Sequence, residues 1–369
     1  MFNIFLGLLL LISPILFLPL SVPALATLQW YQFGFFSNGL EVVQRQIFMY
    51  GIILLVIASL FDKPKRLFGD DWIRWLLLIC FLNVWAYPIT IKIFPTVFLG
   101  FLLYYLVSVC ADVKNIRYFF MVIAFVSFIN TSFSILQFFH IPFLQFKEGE
   151  IIGLMGYKTQ LGIYEALALP ICFVLNPWLT IIPVVGLLLA NSATALVAGV
   201  AGMIYFLHKK GLRIKSIPIW QVFLVISGFY LWGHFEKLGI RFDAWKYALL
   251  TGINHWFHGN GIGLFSFIGK SPLVNDPNFA PKFTDPYSIY LEVFNAIGIF
   301  GLIAFLFFVG SKFIGIPRGN SEKLALFTSC LILAIVGFGY SFMDYPRLAG
   351  TAIVLFGLLT AIRKEGALF

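Results

Sequence analysis

Long apolar runs separated by polar connections set the pattern of this chain. They predict about twelve helical spans, at 3–21, 43–61, 73–91, 93–111, 118–139, 159–176, 178–191, 193–207, 217–233, 286–310, 322–342 and 348–362. A helix needs roughly 20 apolar residues to cross about 30 Å of hydrocarbon, and several runs approach or exceed that length. Apolar and polar residues do not alternate within the runs, which excludes the short strands of a membrane barrel. Asn191 and Ser192 divide 178–207 into two spans rather than one. The largest polar connection, 234–285, falls between the ninth and tenth spans.

Charge orients this pattern. Basic residues collect in the loop carrying Lys63, Lys65, Arg66 and Arg74, and in loops with Lys114 and Arg117, Lys209 to Lys215, and Lys312 to Lys323. The tail adds Arg363 and Lys364. With twelve spans all five segments lie on one side, and short basic loops stay cytoplasmic. Both termini are then cytoplasmic and 234–285 is extracytoplasmic. Reading 178–207 as one helix would move HKKGLRIK to the other side, against the charge rule.

Composition agrees: 60% of residues are hydrophobic and 11% charged, with a mean hydropathy of +0.94. A water-soluble exterior needs far more charge than that. The expectation is an all-α polytopic membrane protein, one integral domain over 1–369, with membrane lipids around it. The first run has neither a basic start nor a small-residue cleavage site, so it reads as a retained helix. The net charge of +9 is spread over many loops and argues for orientation, not for nucleic acid. Cys80, Cys110, Cys172 and Cys330 stand singly inside apolar runs, as buried thiols do.

The polar chemistry concentrates between Arg241 and Leu302. Phe242, Trp245, Leu249 and Ile253 share one helical face, predicting an amphipathic helix on or near the membrane surface. Gly259, Gly261 and Gly263 then alternate through HGNGIGLF, where the backbone can turn tightly. His255 and His258 are three apart, but no third ligand is spaced beside them, so no metal is expected. Histidine remains suited to proton transfer. Asp285 precedes Pro286 as a helix cap would. Glu292 lies about two turns into the following span, where a carboxylate is costly unless it faces a polar cavity. Gly298 and Gly301 read as helix-packing residues.

Taken in order, Arg241 with Trp245, Gly259/Gly261/Gly263 with Phe265, and Asp285-Pro286 leading to Tyr290-Leu291-Glu292, Gly298 and Gly301-Leu302 resemble the O-antigen ligase and O-antigen polymerase superfamily of bacterial envelope polysaccharide assembly. Upstream, GYKTQLGIYEALALP resembles that family's entry into a central helix, with Gln160 where Asn is common. LLLANSATALVAGVAG resembles its Ser-Arg helix, with Ala193 after Ser192 where the family has Arg. Asp285 stands where the family has a loop histidine.

The resemblance implies a metal-independent, cofactor-free glycosyltransferase of the bacterial inner membrane. It would move a glycan from undecaprenyl diphosphate to an acceptor glycan or lipid A core, polymerase favoured over ligase, alongside other envelope polysaccharide assembly proteins. Arg241 would bind the diphosphate, helped by Lys246 or Lys158, with Arg45 and Arg347 as further external cations. Asp285 or His258 would be the base and Glu292 would orient the acceptor. Gln160, Ser192, Trp245, Tyr287 and the three glycines would line the substrate site. The alternatives are a transporter or flippase of lipid-linked saccharides, and a catalytically silent relative.

Overall fold

The computed structural model describes residues 2–15, 50–60, 71–86, 94–140, 151–211, 235–262, 286–315, 320–341 and 346–366. These residues form twelve α-helices and short connections, with no strand among them. In chain order the helices are α1 (Phe2–Ile15), α2 (Tyr50–Leu60), α3 (Asp71–Ala86), α4 (Phe94–Cys110), α5 (Ile116–Phe138) and α6 (Lys158–Leu175). They continue with α7 (Ile181–Ala190), α8 (Ala193–Lys209), α9 (Phe235–Asn254), α10 (Ile289–Ser311), α11 (Ser321–Gly339) and α12 (Pro346–Gly366). Four helical stretches (113–138, α6, α10 and α11) are long and apolar enough to cross a membrane, and several shorter apolar helices accompany them. The ninth predicted span, 217–233, lies outside the described residues.

The surface is the strongest physical sign of what solvates this bundle. Phe81, Met121, Phe125, Phe128, Phe138, Phe300 and Phe307 each expose about half of their area. A water-soluble exterior does not carry bands of large apolar side chains like these, whereas lipid covers them without cost. The fold is that of a multi-pass helical membrane protein.

Its centre is α6, not the polar stretch from Arg241 onward. Every residue of α6 from Gln160 to Cys172 is buried, because α5, α7, α8 and α11 pack around it. Small residues allow this: a Cβ on Gly162 would meet Ser192 and Ala195, and one on Gly199 would meet Ala166. Asn191, in the left-handed region at φ 49°, ends α7 and turns the chain back into α8. The predicted division of 178–207 is therefore real.

Segment 151–157 connects to α6 without helical hydrogen bonds of its own, and α5 supplies partners. Gln137 Oε1 accepts from Ile152 N and Gly153 N, and Asn130 Oδ1 accepts from Leu154 N. In an apolar setting each unmet backbone group is expensive, so these side chains are what permits an irregular strap there.

Each end of the described bundle carries its own basic residues. At one end Arg363 donates to the Ser311 and Ile314 carbonyls, closing the C-terminus of α10. Lys312, only 4% exposed, stands over the rings of Phe308 and Tyr104 at 4.8 and 5.4 Å. Lys209 and Lys210 lie at the C-terminus of α8. The opposite end is where α6, α8 and α10 begin and α7 and α11 finish, and Arg241 is there.

Candidate functional site

α9 positions Arg241. Its apolar stripe predicts an amphipathic helix on or near the membrane surface; a helix is there, and it packs alongside α10 and runs parallel to it. Trp245 Nε1 donates to the Tyr287 carbonyl at 3.4 Å, Asn295 Nδ2 to the Ala248 carbonyl at 2.7 Å, and Thr251 Oγ1 to Asn295 Oδ1 at 2.8 Å. The apolar face made by Phe242, Leu249 and Ile253 is real but points outward, each residue about half exposed. Polar residues at the other side hold the helix to α10.

At the start of this pairing, Arg241 is half-buried and its guanidinium donates to Thr194 Oγ1 in the first turn of α8. Gly339, at the end of α11, lies beneath it: a Cβ there would sit 3.7 Å from Arg241 Nη1 and 3.0 Å from Thr194. Ser192 occupies the N-cap position of the same helix, yet its buried Oγ has no hydrogen-bond partner. Gln160 Nε2, on the neighbouring first turn of α6, is likewise buried without a partner, as is Ser341 Oγ just beyond α11. Lys158 is the first residue of α6 and half-buried. A cation, a helix N-terminus and several orphaned neutral polar atoms thus lie at the same end of the bundle. That set suits an anionic group beside hydroxyl-rich chemistry.

Tyr287, predicted to touch substrate, has φ 49°, a strained value for a bulky residue. It lies next to Ser288, whose Oγ donates to the Gly337 carbonyl at 3.2 Å. Trp245 stands edge-on to Phe242, with centroids 5.3 Å apart. Lys246 is exposed, and Glu292 is half-buried in the first turn of α10. Tyr247 packs with Ala248 against Leu291, which adds an apolar contact to the polar ones between α9 and α10.

The rest of the predicted set goes elsewhere. His258, Gly259 and Gly261 follow the far end of α9; Arg241 and Thr251 alone are about 15 Å apart along the helix axis. His258 is exposed, its Nδ1 is 2.7 Å from the Gly259 carbonyl oxygen, and its ring is 5.9 Å from that of His255. The glycines dock backbone to backbone. Asn260 N donates to Asn295 O at 2.6 Å, Gly261 N to Ala296 O at 3.0 Å, and Ile299 N to Trp256 O at 2.8 Å. Gly298 breaks α10 at this point, with φ 72° and ψ −168°, and it also serves the expected close packing, since a Cβ there would meet the Phe257 carbonyl. Asn83 of α3 ties the junction together, donating to the His258 and Ala296 carbonyls and accepting from Ile262 N. Gly263, Asp285 and the side chain of Arg347 lie outside the described residues. So do Arg45 and Phe265.

Several residues with structural or chemical consequence lie outside the predicted set: Thr194, Asn83, Asn295 and, above all, Glu165. The last does have one visible signal, a carboxylate in the middle of an apolar run, which is an unusual thing for a membrane helix to carry. The asparagines give no such signal, because their role depends on where other segments cross them.

Against known proteins, no family model matches the chain and no curated protein matches it.

Proposed function

We propose that this protein is a glycosyltransferase of the bacterial inner membrane that transfers a glycan from undecaprenyl diphosphate to an acceptor hydroxyl, and that it acts as a polymerase rather than a ligase. Twelve spans with both termini cytoplasmic belong to this reading, since they put Arg241 at the outer face. The observation that carries it is the Arg241 guanidinium bonded to Thr194 Oγ1 in the first turn of α8, at the end of the bundle where Ser192 Oγ and Gln160 Nε2 are buried without partners. The acceptor oxygen bonds to the anomeric carbon of the donor sugar while the bond from that carbon to the diphosphate oxygen breaks. The acceptor proton passes to a base, and the leaving diphosphate takes up the negative charge that Arg241 meets. Lys158, and in a lesser role Lys246, add positive charge on the same side.

Position along the chain favours Asp285 over His258 as that base. Asp285 is two residues before Tyr287, which Trp245 bonds one turn from Arg241. His258 follows the opposite end of α9. Glu292, in the first turn of α10 rather than two turns into the span, orients the acceptor.

Replacing Arg241 with Ala or with Lys in cells tests the reading. Loss of surface polymer with lipid-linked precursor accumulating on the outer face supports it; wild-type polymer in both variants overturns it. A transporter or flippase of lipid-linked saccharides is the second reading, favoured by the interrupted α10 and the intramembrane Glu165. It predicts precursor trapped on the inner face instead.

A further inference from the structure

Glu165 lies in the middle of α6, fully buried, with no place in the scheme above. Ser127 Oγ on α5 donates to its Oε2, while Oε1 is buried without a hydrogen-bond partner. Gly186 of α7 makes the room: a Cβ there would stand 2.5 Å from Thr131 Oγ1 and 2.8 Å from Glu165 Cγ. Thr131 itself donates to the Ile182 carbonyl at 3.2 Å. Among the described residues, the helices packed around α6 bring no cation to this level. From Phe119 to Phe138 α5 carries no ionisable residue, α7 carries none, and α8 carries none before Tyr205. On α11 the only ionisable group past Lys323 is the Cys330 thiol, and on α6 itself Glu165 has Tyr164 and Cys172 for company.

A lone ionised carboxylate surrounded by helices and lipid is prohibitively costly, whereas the neutral acid needs only hydrogen bonds. The partners present among the described residues are few and neutral. A hard metal cation asks for about six oxygens around it, and this niche offers a carboxyl, two hydroxyls and one carbonyl; a proton asks for one.

A second observation gives the proton a route. Ser127, Asn130, Thr131, Ser134 and Gln137 are all buried and share one face of α5. This polar stripe rises from the Ser127–Glu165 bond to the irregular strap at 151–154, a distance of about 15 Å at helical rise. The strap leads directly into Lys158, at the Arg241 end of the bundle.

We propose that Glu165 is an exchangeable proton-binding site inside the bundle, reached from the Lys158 end along the polar face of α5. It stands independently of the glycosyl-transfer reading, because it concerns only how this carboxyl is accommodated and supplied.

The test is infrared difference spectroscopy of the full chain in lipid at neutral pH, wild type against Glu165→Gln, in H2O and in D2O. Glutamine keeps the shape, and a thermal melt of the variant checks that the bundle is intact. The expected result is a neutral-acid carbonyl band present only in the wild type, which moves down on transfer to D2O. Carboxylate bands in its place overturn the proposal, as does a neutral-acid band that sodium removes. A neutral-acid band that D2O leaves unshifted overturns it too, since the proton would be permanently sealed in.

Discussion

Two glycines at the α9–α10 junction are held for different reasons from most others in the chain. Gly259 has φ 75°, and a Cβ on it would stand 2.5 Å from the Ala296 carbonyl; Gly298 has φ 72°, and its Cβ would run into the Phe257 carbonyl. Both the backbone conformation and the opposing main chain therefore reject a side chain, and neither can shift cheaply. Gly259→Ala and Gly298→Ala should each cost about 1–3 kcal/mol in unfolding of the detergent-solubilised protein, read as a lowered melting midpoint. Gly310, with ordinary φ and nothing within 4 Å of where a Cβ would sit, supplies the contrast. Gly310→Ala should leave the midpoint unchanged or raise it slightly, since Ala costs less than Gly in a helical conformation. Equal effects at all three sites would mean that the docking of the two backbones contributes nothing. At this scale Arg241 is legible as the cation of interest because it stands in a polar cluster. Its partner Thr194 is not, because nothing in LLLANSATALVAGVAG says which segment will cross that turn.

Among the elements, α5 shows how polar residues inside an apolar helix serve another segment's backbone. Gln137 satisfies both Ile152 N and Gly153 N, and its Nε2 donates to the Gly153 carbonyl at 3.3 Å. Gln137→Leu would strand those two N–H groups, at about 1–3 kcal/mol each. The expected outcome is faster hydrogen exchange at Ile152 and Gly153, with the helical amides of α5 unchanged. Unaltered exchange at 152–153 would show that the strap holds without α5. Asn83 makes the parallel case for the α9–α10 junction: Asn83→Leu should raise exchange at Ile262 and weaken the anchoring of the 256–262 turn. The helices themselves are readable from apolar run length, and each predicted span that falls on described residues meets a helix. The strap and the interrupted α10 are not readable, because their stability comes from side chains 15 to 213 residues away. The same holds for α9, whose apolar stripe is equally consistent with lying on a bilayer or standing beside another helix.

For the molecule as a whole, the distribution of charge and the packing of the helices tell one story. α6, α8, α10 and α12 run one way and α5, α7 and α11 the other, as the contacts of Gln137 with Gly153, Gly162 with Ser192, Gly339 with Thr194, Ser288 with Gly337 and Arg363 with Ser311 require. Lys209, Lys210, Lys312 and Arg363 then share the end away from Arg241, as the loop-charge argument expects of a cytoplasmic face. If that end is cytoplasmic, Arg241 meets the outer leaflet, where a donor on a lipid diphosphate would be presented. Thiol labelling reads the orientation without reference to activity, and the native background is low because Cys80, Cys110, Cys172 and Cys330 are all buried. Asp243 and Lys209 are both exposed. A membrane-impermeant thiol reagent should modify Asp243→Cys in intact cells, and Lys209→Cys only after the membrane is opened. The reverse pattern would put Arg241 on the cytoplasmic side, leaving it no access to an externally presented donor, and the glycosyl-transfer reading would fail with it.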